Sequence, residues 1–451
     1  MNMKALLGET LRFDHERWDL LERDHRETQM QLAPLVRNLP TGPRTAWIIS
    51  SMNTPWGWKL DGVMSLAARL AGYTPVAVWP LMQSDPWGDR YHEAFKLSNH
   101  RGLPPDMAIV LEKSASGVQS VCQGLVAMRI PLVQYVGSQH DNALVFKRYN
   151  KDNYRQHPFS LDPSTPIDTL NEHQEDRLMR ELMTSYTEKR WFNRKFLHTG
   201  KRVYSTAEVR ETLGLDPSKK TAVIFAHVLG DATDFYGSNL FKDYAEWLAE
   251  TVRVAKMNTS VNWVVKLHPD LTWKLKYGVG GYQSNELELM GDLPPHIKVV
   301  MPDTDIDTYS FFGITDYCLT VRGTIGIEMA CHGIPVLTAG TGRYDGLWFT
   351  LDSASAEDYL QRVHGIHEIM PYDRYQTKRA RAFAYTLFRR RPWHMKSFTI
   401  EKKPLEETGH VFDQNIRCNI RSLNEAADLR DLAQWLKSDA IDYLGSAHHE
   451  V

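Results

Sequence analysis

The segment Leu319 to Gly340, LTVRGTIGIEMACHGIPVLTAG, constrains the fold of this chain more than any other. A short apolar run leads into Arg322 and Gly323, a helix-compatible stretch follows, Gly333 and Pro335 stop it, and a second apolar run begins. Strand, turn, helix and strand at such short spacing predict a crossover between parallel neighbours, since an antiparallel return needs only a hairpin. A strand that ends in a glycine turn and opens a helix presents unpaired backbone N–H groups and the positive helix end to an anion. Upstream, VVKLHPD (Val264 to Asp270) is another apolar strand, running into Lys266, His268 and Pro269.

The same alternation recurs along the chain. TAWIISS from Thr45, TPVAVWP, PDMAIVLE and IPLVQYV read as strands with helical stretches between them, the first helix running from about Asp61 to Ala71 and closed by Gly72. TAVIFAHV, NWVVKLHP, HIKVVMP, DYCLTV and IPVLTAG form a second set beginning at Lys220. A helix from Phe241 to Lys256 places Tyr244, Trp247, Leu248, Thr251, Val252 and Ala255 near one face, which predicts a core-packed helix. Residues 138–205 break the pattern with prolines and charge and read as an excursion between domains. The expected architecture is α/β, with two doubly wound Rossmann-like domains and helical additions at both ends. The boundaries are 1–205 for a first domain with its helical extension, 206–400 for a second, ligand-binding domain, and 401–451 for a helical tail.

Length and composition agree with this. A chain of 451 residues exceeds one ordinary domain. A formal net charge of −2 lacks the basic excess of a general nucleic-acid binder, so no nucleic acid is expected as partner. Cys122, Cys318, Cys331 and Cys418 are far apart and form neither a disulfide framework nor a zinc site, so no metal is expected. No signal peptide or membrane-length apolar run is read, which predicts a cytoplasmic protein. Arg389 to Arg391 with Trp393 form a basic-aromatic cluster that could touch anionic lipid at the inner face of the cytoplasmic membrane.

The motifs assign chemistry to named residues. In doubly wound sheets, ligands bind at the carboxyl ends of the strands. His268 follows such a strand, and Pro269 ends it. A histidine there can donate to phosphate and stabilise a departing nucleotide, with Lys266 two residues earlier on the same face. Thr320 and Arg322 lie at the end of the next strand, Gly323 makes the turn, and Thr324 reads as the N-cap of the helix. Glu328, four residues into that helix, reads as an acceptor for ribose hydroxyls. Asp231 and Asp234 follow the strand TAVIFAHV and are candidates for a general base, as is His227. Ser50, Ser51, Asn53, Trp56, Gly57 and Asp61, with Gln139, His140, Asp141 and Asn142, form the corresponding loops of the first domain. Residue type alone does not choose among them. No phosphate-binding GxxxxGK[ST], no HExxH and no dinucleotide glycine fingerprint is present, so redox use of a dinucleotide is not expected.

FAHVLGDATDFYGSNLFKDYAEWLAETV, NWVVKLHPD and TDYCLTVRGTIGIEMACHGIPVLTAG resemble the capsule polysaccharide biosynthesis proteins. These include bacterial transferases that use CMP-activated 3-deoxy-manno-octulosonic acid (Kdo). The resemblance covers about residues 215–345. It implies a GT-B fold with two domains facing across a cleft, and inverting, metal-independent transfer needing no cofactor beyond the nucleotide-sugar donor. It implies a glycan or lipid-linked glycan acceptor. The HP pair is also similar to that of bacterial sialyltransferases and teichoic-acid polyol-phosphate transferases, a likeness that implies phosphate contact for His268, Pro269, Thr320 and Thr324. The chain departs from related groups in carrying Thr-Val-Arg-Gly-Thr (320–324) where they carry paired serines or threonines; Arg322 adds a phosphate contact. Polyol-phosphate transfer, sugar-nucleotide epimerisation and a non-catalytic glycan-binding assembly role are the competing expectations.

Overall fold

The computed structural model describes residues 42–51, 55–78, 104–115, 118–191, 200–230, 235–272, 286–402 and 414–445, with isolated positions before and between them that include Leu35, Arg194 and His198. In chain order the elements are β1 (Arg44–Ile49), α1 (Pro55–Leu70), β2 (Tyr73–Val78), β3 (Met107–Val110), α2 (Gln119–Ala127), β4 (Leu132–Gly137), β5 (Ala143–Tyr149), α3 (Glu172–Thr187) and α4 (Thr206–Leu213). There follow β6 (Thr221–Phe225), α5 (Tyr244–Met257), β7 (Asn262–Lys266), α6 (Glu286–Met290), β8 (Ile297–Val300), β9 (Tyr317–Thr320), α7 (Thr324–Cys331), β10 (Val336–Thr338) and β11 (Leu351–Asp352). The chain closes with α8 (Ala356–His364), α9 (Arg374–Tyr385), β12 (Pro392–His394), β13 (Phe398–Lys402), β14 (Gln414–Cys418) and α10 (Ala427–Lys437).

The chain forms two compact units. The first takes the described residues up to Gly137, Asn142–Asp152 and Trp393–Gly445. Its six-stranded sheet runs β12-β5-β4-β3-β1-β2. β1 pairs in parallel with β2 and β3, and β3 with β4, while β5 is antiparallel to β4. The order 2-1-3-4-5 is doubly wound and reverses between β1 and β3.

Two sequence expectations fail in this unit. The expected excursion from 138 contains a strand, β5, whose ALVFKRY was obscured by Lys147 and Arg148. Lys147 is fully buried there, with Nζ 3.0 Å from Asp442 Oδ1. The expected tail at 401–451 is part of the first unit. α10 buries Leu429, Leu432, Trp435 and Leu436 in the core that contains Ala67 of α1 and Phe146 of β5.

The second unit contains Asn153–Pro392, so residues 153–205 belong here and not with the first domain as the boundary at 205 supposed. The reason is apolar: Leu170, Leu178, Leu182, Trp191 and Val209 enter the core under this sheet. Local signals set the helix ends. Asn171 and Gln174 form a capping box for α3, Ser205 and Glu208 one for α4, and Gly214 closes α4 in the left-handed region at φ 58°. The sheet runs β11-β10-β9-β6-β7-β8, parallel throughout. Renumbered within the unit, this is the Rossmann order 3-2-1-4-5-6, and it reverses between β6 and β9. TAVIF and NWVVK are buried at every position, as central strands covered on both faces must be. α5 begins at Tyr244 on an Asp243 cap and buries each residue of the predicted face.

The basic cluster is internal. Arg391 is fully buried and donates to the carbonyls of Pro158 and Ser160 at 2.7 Å each. Arg389 pairs with Glu181, Arg390 with Asp168, and Trp393 is buried. These residues are thus committed to the fold and not offered to a lipid surface. No helix among the described residues is long and apolar enough to cross a membrane. The helical reading of residues 1–40 lies almost wholly outside the described residues.

Candidate functional site

The reversal between β6 and β9 places the ends of those strands side by side. β6 continues through Ala226 to His227, β9 through Val321 and Arg322 to Gly323, and β7, on the other side of β6, continues to His268. His227 ties the first two together. Its Nε2 accepts the Val321 N–H at 3.1 Å and lies 3.0 Å from Thr320 Oγ1. That hydroxyl also accepts the Gly323 N–H at 3.2 Å. Because Nε2 already accepts the Val321 N–H it carries no proton, so the hydroxyl donates to it. Nε2 is therefore an acceptor, and the ring proton is assigned to Nδ1. Burial, followed by the charges of His268, Arg322 and Arg343, pulls the His227 pKa down to about 3, so the ring is neutral at physiological pH. The ring stacks on Tyr244 with centroids 4.4 Å apart and meets Trp247 edge-on.

α7 opens at this junction. Its N-cap is Gly323, at φ −66° and ψ 151°, with no side-chain cap. Thr324 is thus the first helical residue and not the N-cap that its hydroxyl suggested. Without a capping side chain, the first N–H groups of α7 are left to solvent or a ligand. They add to the positive end of the helix dipole. Space at this position is tight. A Cβ at Gly323 would lie 3.0 Å from Thr320 Oγ1. Behind it, Tyr344 Oη donates to the Gly323 carbonyl at 2.9 Å.

His268 is half-buried, and its Nδ1 accepts the Asp270 N–H at 3.2 Å in the turn begun by Pro269. Arg322 and Arg343 complete the surroundings, Arg343 donating through Nη1 to the Arg322 carbonyl at 3.1 Å. Arg343, Tyr244 and Tyr344 were not foreseen. The sequence hint for Arg343 was a basic residue directly after Gly342, just beyond the strand that ends near Gly340.

Two predicted ligands of the nucleotide sit elsewhere. Glu328 is fully buried, accepting the Tyr186 hydroxyl at 2.6 Å and Arg194 Nη2 at 2.8 and 3.1 Å. Its carboxylate is closed off by these partners, so the structure gives it an internal ion pair in place of the expected ribose contact. Lys266 is buried, with Nζ 5.6 Å from the Phe311 ring centroid. Desolvation first, then Lys201, brings its pKa down to about 7, with Asp307 opposing. Lys266 therefore belongs electrostatically to the cluster of Arg194, His198 and Asp307. His198 Nδ1 and Asp307 Oδ2 in that cluster are 2.9 Å apart.

Asp231 and Asp234 lie outside the described residues. In the first unit, Asp61 accepts the Tyr135 hydroxyl at 3.0 Å, and burial pushes its carboxyl up to about 6. Asn142 is a fastener and not a candidate base, donating to Phe398 O at 2.8 Å and accepting from Ile400 N at 2.7 Å. His140, in the second unit, is 2.6 Å from the Phe388 carbonyl and 3.1 Å from Glu181.

No described protein family matches the chain, and no curated protein does. Among solved structures, a Thermosulfurimonas dismutans KpsC β-Kdo 2,4-transferase is similar at 14% identity and TM-score 0.43, over 85% of this chain and 97% of that one. The corresponding β-Kdo 2,7-transferase is similar at 15% identity and TM-score 0.39, over 88% and 100%. A UDP-GlcNAc 2-epimerase from Neisseria meningitidis, bound to UDP-GlcNAc, follows at 11% identity and TM-score 0.27, over 75% and 95%.

Proposed function

We propose that this protein is a nucleotide-sugar-dependent glycosyltransferase of bacterial surface polysaccharide biosynthesis, with its donor phosphate held at the start of α7. The observation that carries this reading is the uncapped helix start at the β6–β9 reversal, flanked by His227, His268 and Arg322. An anion at that point meets helix N–H groups and a positive dipole end, and cationic side chains stand nearby. The same arrangement stabilises negative charge as a nucleotide leaves, which is what glycosyl transfer demands of its enzyme. The sequence resemblance to capsule polysaccharide biosynthesis proteins supplies the reaction class and the GT-B reading of the two doubly wound units.

In this mechanism an acceptor hydroxyl loses its proton to a carboxylate and attacks the anomeric carbon, while the bond to the donor phosphate breaks with inversion. Asp231 and Asp234, which follow His227 closely in sequence, are the proposed bases. The preferred donor is CMP-Kdo-like, with a glycan hydroxyl, lipid-linked or free, as acceptor. The transfer proposed is metal-independent.

A thermal-shift panel with CMP, CDP, UDP, UDP-sugars and GDP, on wild type and His268→Ala, tests the reading. Ligands that bind the native state raise apparent stability by mass action. A nucleotide-selective rise that shrinks in His268→Ala is the expected result. Turnover of a sugar nucleotide without acceptor would favour epimerisation. A folded protein that responds to no nucleotide would remove the transferase and leave a glycan-binding assembly protein.

A further inference from the structure

Arg322 and Arg343 stand beside the start of α7 with charge to spare. Arg322 is 5% exposed. Its Nη2 donates to the Ser238 carbonyl at 3.3 Å and to Asn239 Oδ1, while Nε and Nη1 have no hydrogen-bond partner among the described residues. Arg343 is held on the same turn by its bond to the Arg322 carbonyl, and its Nε is also buried and without a partner. The acid on their loop, Asp345, accepts the backbone N–H groups of Gly342 and Arg343 and forms no ion pair with either guanidinium. Burial draws both guanidinium pKa values down, that of Arg343 to about 10.

The surroundings pack closely around Arg322. Gly340 ends the β10 connection, and a Cβ there would lie 2.8 Å from Arg322 Nη2 and 2.7 Å from Val321 Cγ1. Arg322 is buried and Arg343 half-buried. Tyr244, Tyr344 and Asp345 favour the Arg322 charge, and Tyr344, Tyr244 and Glu328 that of Arg343. Burial outweighs them, so negative charge brought to the pair would be stabilising. A phosphate on the helix start satisfies the N–H groups of α7 and leaves the guanidinium forks for a second anion.

We propose that Arg322 and Arg343 form a second anion subsite, so that the ligand at the start of α7 is a dianion. The proposal rests on the nucleotide-sugar reading for the kind of ligand, and on the two guanidinium groups for its charge. Two donor chemistries supply that charge: a nucleoside-diphosphate sugar, or a nucleoside-monophosphate sugar whose sugar carries a carboxylate.

Calorimetric titration of the full chain separates these. The probes are cytidine 5′-methyl phosphate as monoanion, UDP-glucose and CDP-glucose as diphosphates, a CMP-linked ulosonic acid as phosphate plus carboxylate, and methyl phosphate and pyrophosphate without nucleoside. The variants are Arg343→Gln, Arg322→Gln and the charge-conserving Arg343→Lys, each checked for a native circular-dichroism spectrum. At least one dianion should bind about tenfold or more tighter than the methyl ester. Arg343→Gln should remove most of that advantage, Arg343→Lys less of it, and the methyl ester should change by no more than about threefold. An advantage for the diphosphates names one source, and an advantage for the CMP-ulosonate names the other. Arg343-dependent pyrophosphate binding with no nucleoside ligand bound would keep the subsite and overturn the nucleotide-sugar reading. Dianions no tighter than their monoanions, or an advantage that survives both glutamine variants, would overturn the subsite.

Discussion

Thr320 Oγ1 lies 3.0 Å from Nε2 of His227 and accepts the backbone N–H of Gly323 at 3.2 Å. One buried hydroxyl thus joins the end of β9, the end of β6 and the residue that caps α7. The start of α7 is positioned by this bond as well as by the sheet.

Thr320→Val should therefore weaken nucleotide binding while nearly preserving volume. Both partners of the hydroxyl lose a bond in a buried setting, at a cost of about 1–3 kcal/mol in stability. Thr320→Ser should retain most of both properties. Urea denaturation and calorimetric titration with CMP check this, and a Val variant with wild-type stability would refute the bridging role.

His227 gives the site a pH dependence with a definite sign. Its folded pKa of about 3 lies below the unfolded value near 6.5. The unfolded chain then binds more protons between these values, so its contribution to stability is complete above about pH 6.5 and is lost as pH falls toward 3. Between pH 6.5 and 5 the loss is on the order of 1–2 kcal/mol from this group. Urea midpoints measured across that range should fall in wild type and fall less in His227→Gln.

Gly326→Ala should disturb the same helix start from behind. A Cβ at this position would meet Tyr344 Oη at 2.4 Å and Cζ at 3.1 Å, and Tyr344 is the residue that donates to the Gly323 carbonyl. The expected result is a destabilisation of about 1–3 kcal/mol, typical of overpacking, with weaker nucleotide binding. Adding Tyr344→Phe removes the clashing oxygen and should recover part of the stability. Independent, additive effects of the two substitutions would count against the contact.

Glu328→Gln separates an ion pair from a sugar contact. Removing the charge leaves Arg194 buried beside Tyr186, its Cζ 3.8 Å from the ring centroid, without the partner it now has. A loss of about 3–5 kcal/mol is expected, with the ratio of ribo- to deoxyribonucleotide affinity unchanged. A selective loss of ribonucleotide affinity at wild-type stability would return Glu328 to the ribose.

The pair Lys147–Asp442 joins β5 to the C-terminal segment, with both side chains fully buried. Lys147→Met or Asp442→Leu alone should cost about 3–5 kcal/mol, and the double substitution much less. A double-mutant cycle in denaturant measures this coupling directly. Additive single effects would mean that each charge is stabilised by other groups.

The sequence by itself determined the strand–helix alternation, the two doubly wound units, the face of α5 and the glycine turn into α7. Each of these is written in short-range period and in residues that tolerate only certain backbone angles. What the tertiary structure decided was membership. The strand at 143–149 was hidden by a lysine that is buried against Asp442, far along the chain. The same return of the chain carries α10 into the first core, and the apolar residues of 170–209 into the second.

The site divided in the same way. The sequence supplied His268, Thr320, Arg322 and Gly323 because strand ends and glycine turns are local events. It also offered Lys266 and Glu328, which the fold turned toward internal partners, because burial and counter-charge are set by segments remote in sequence. Arg343 joined the site for the corresponding reason: parallel pairing brings the loop after β10 against the end of β9, a proximity that no local period records.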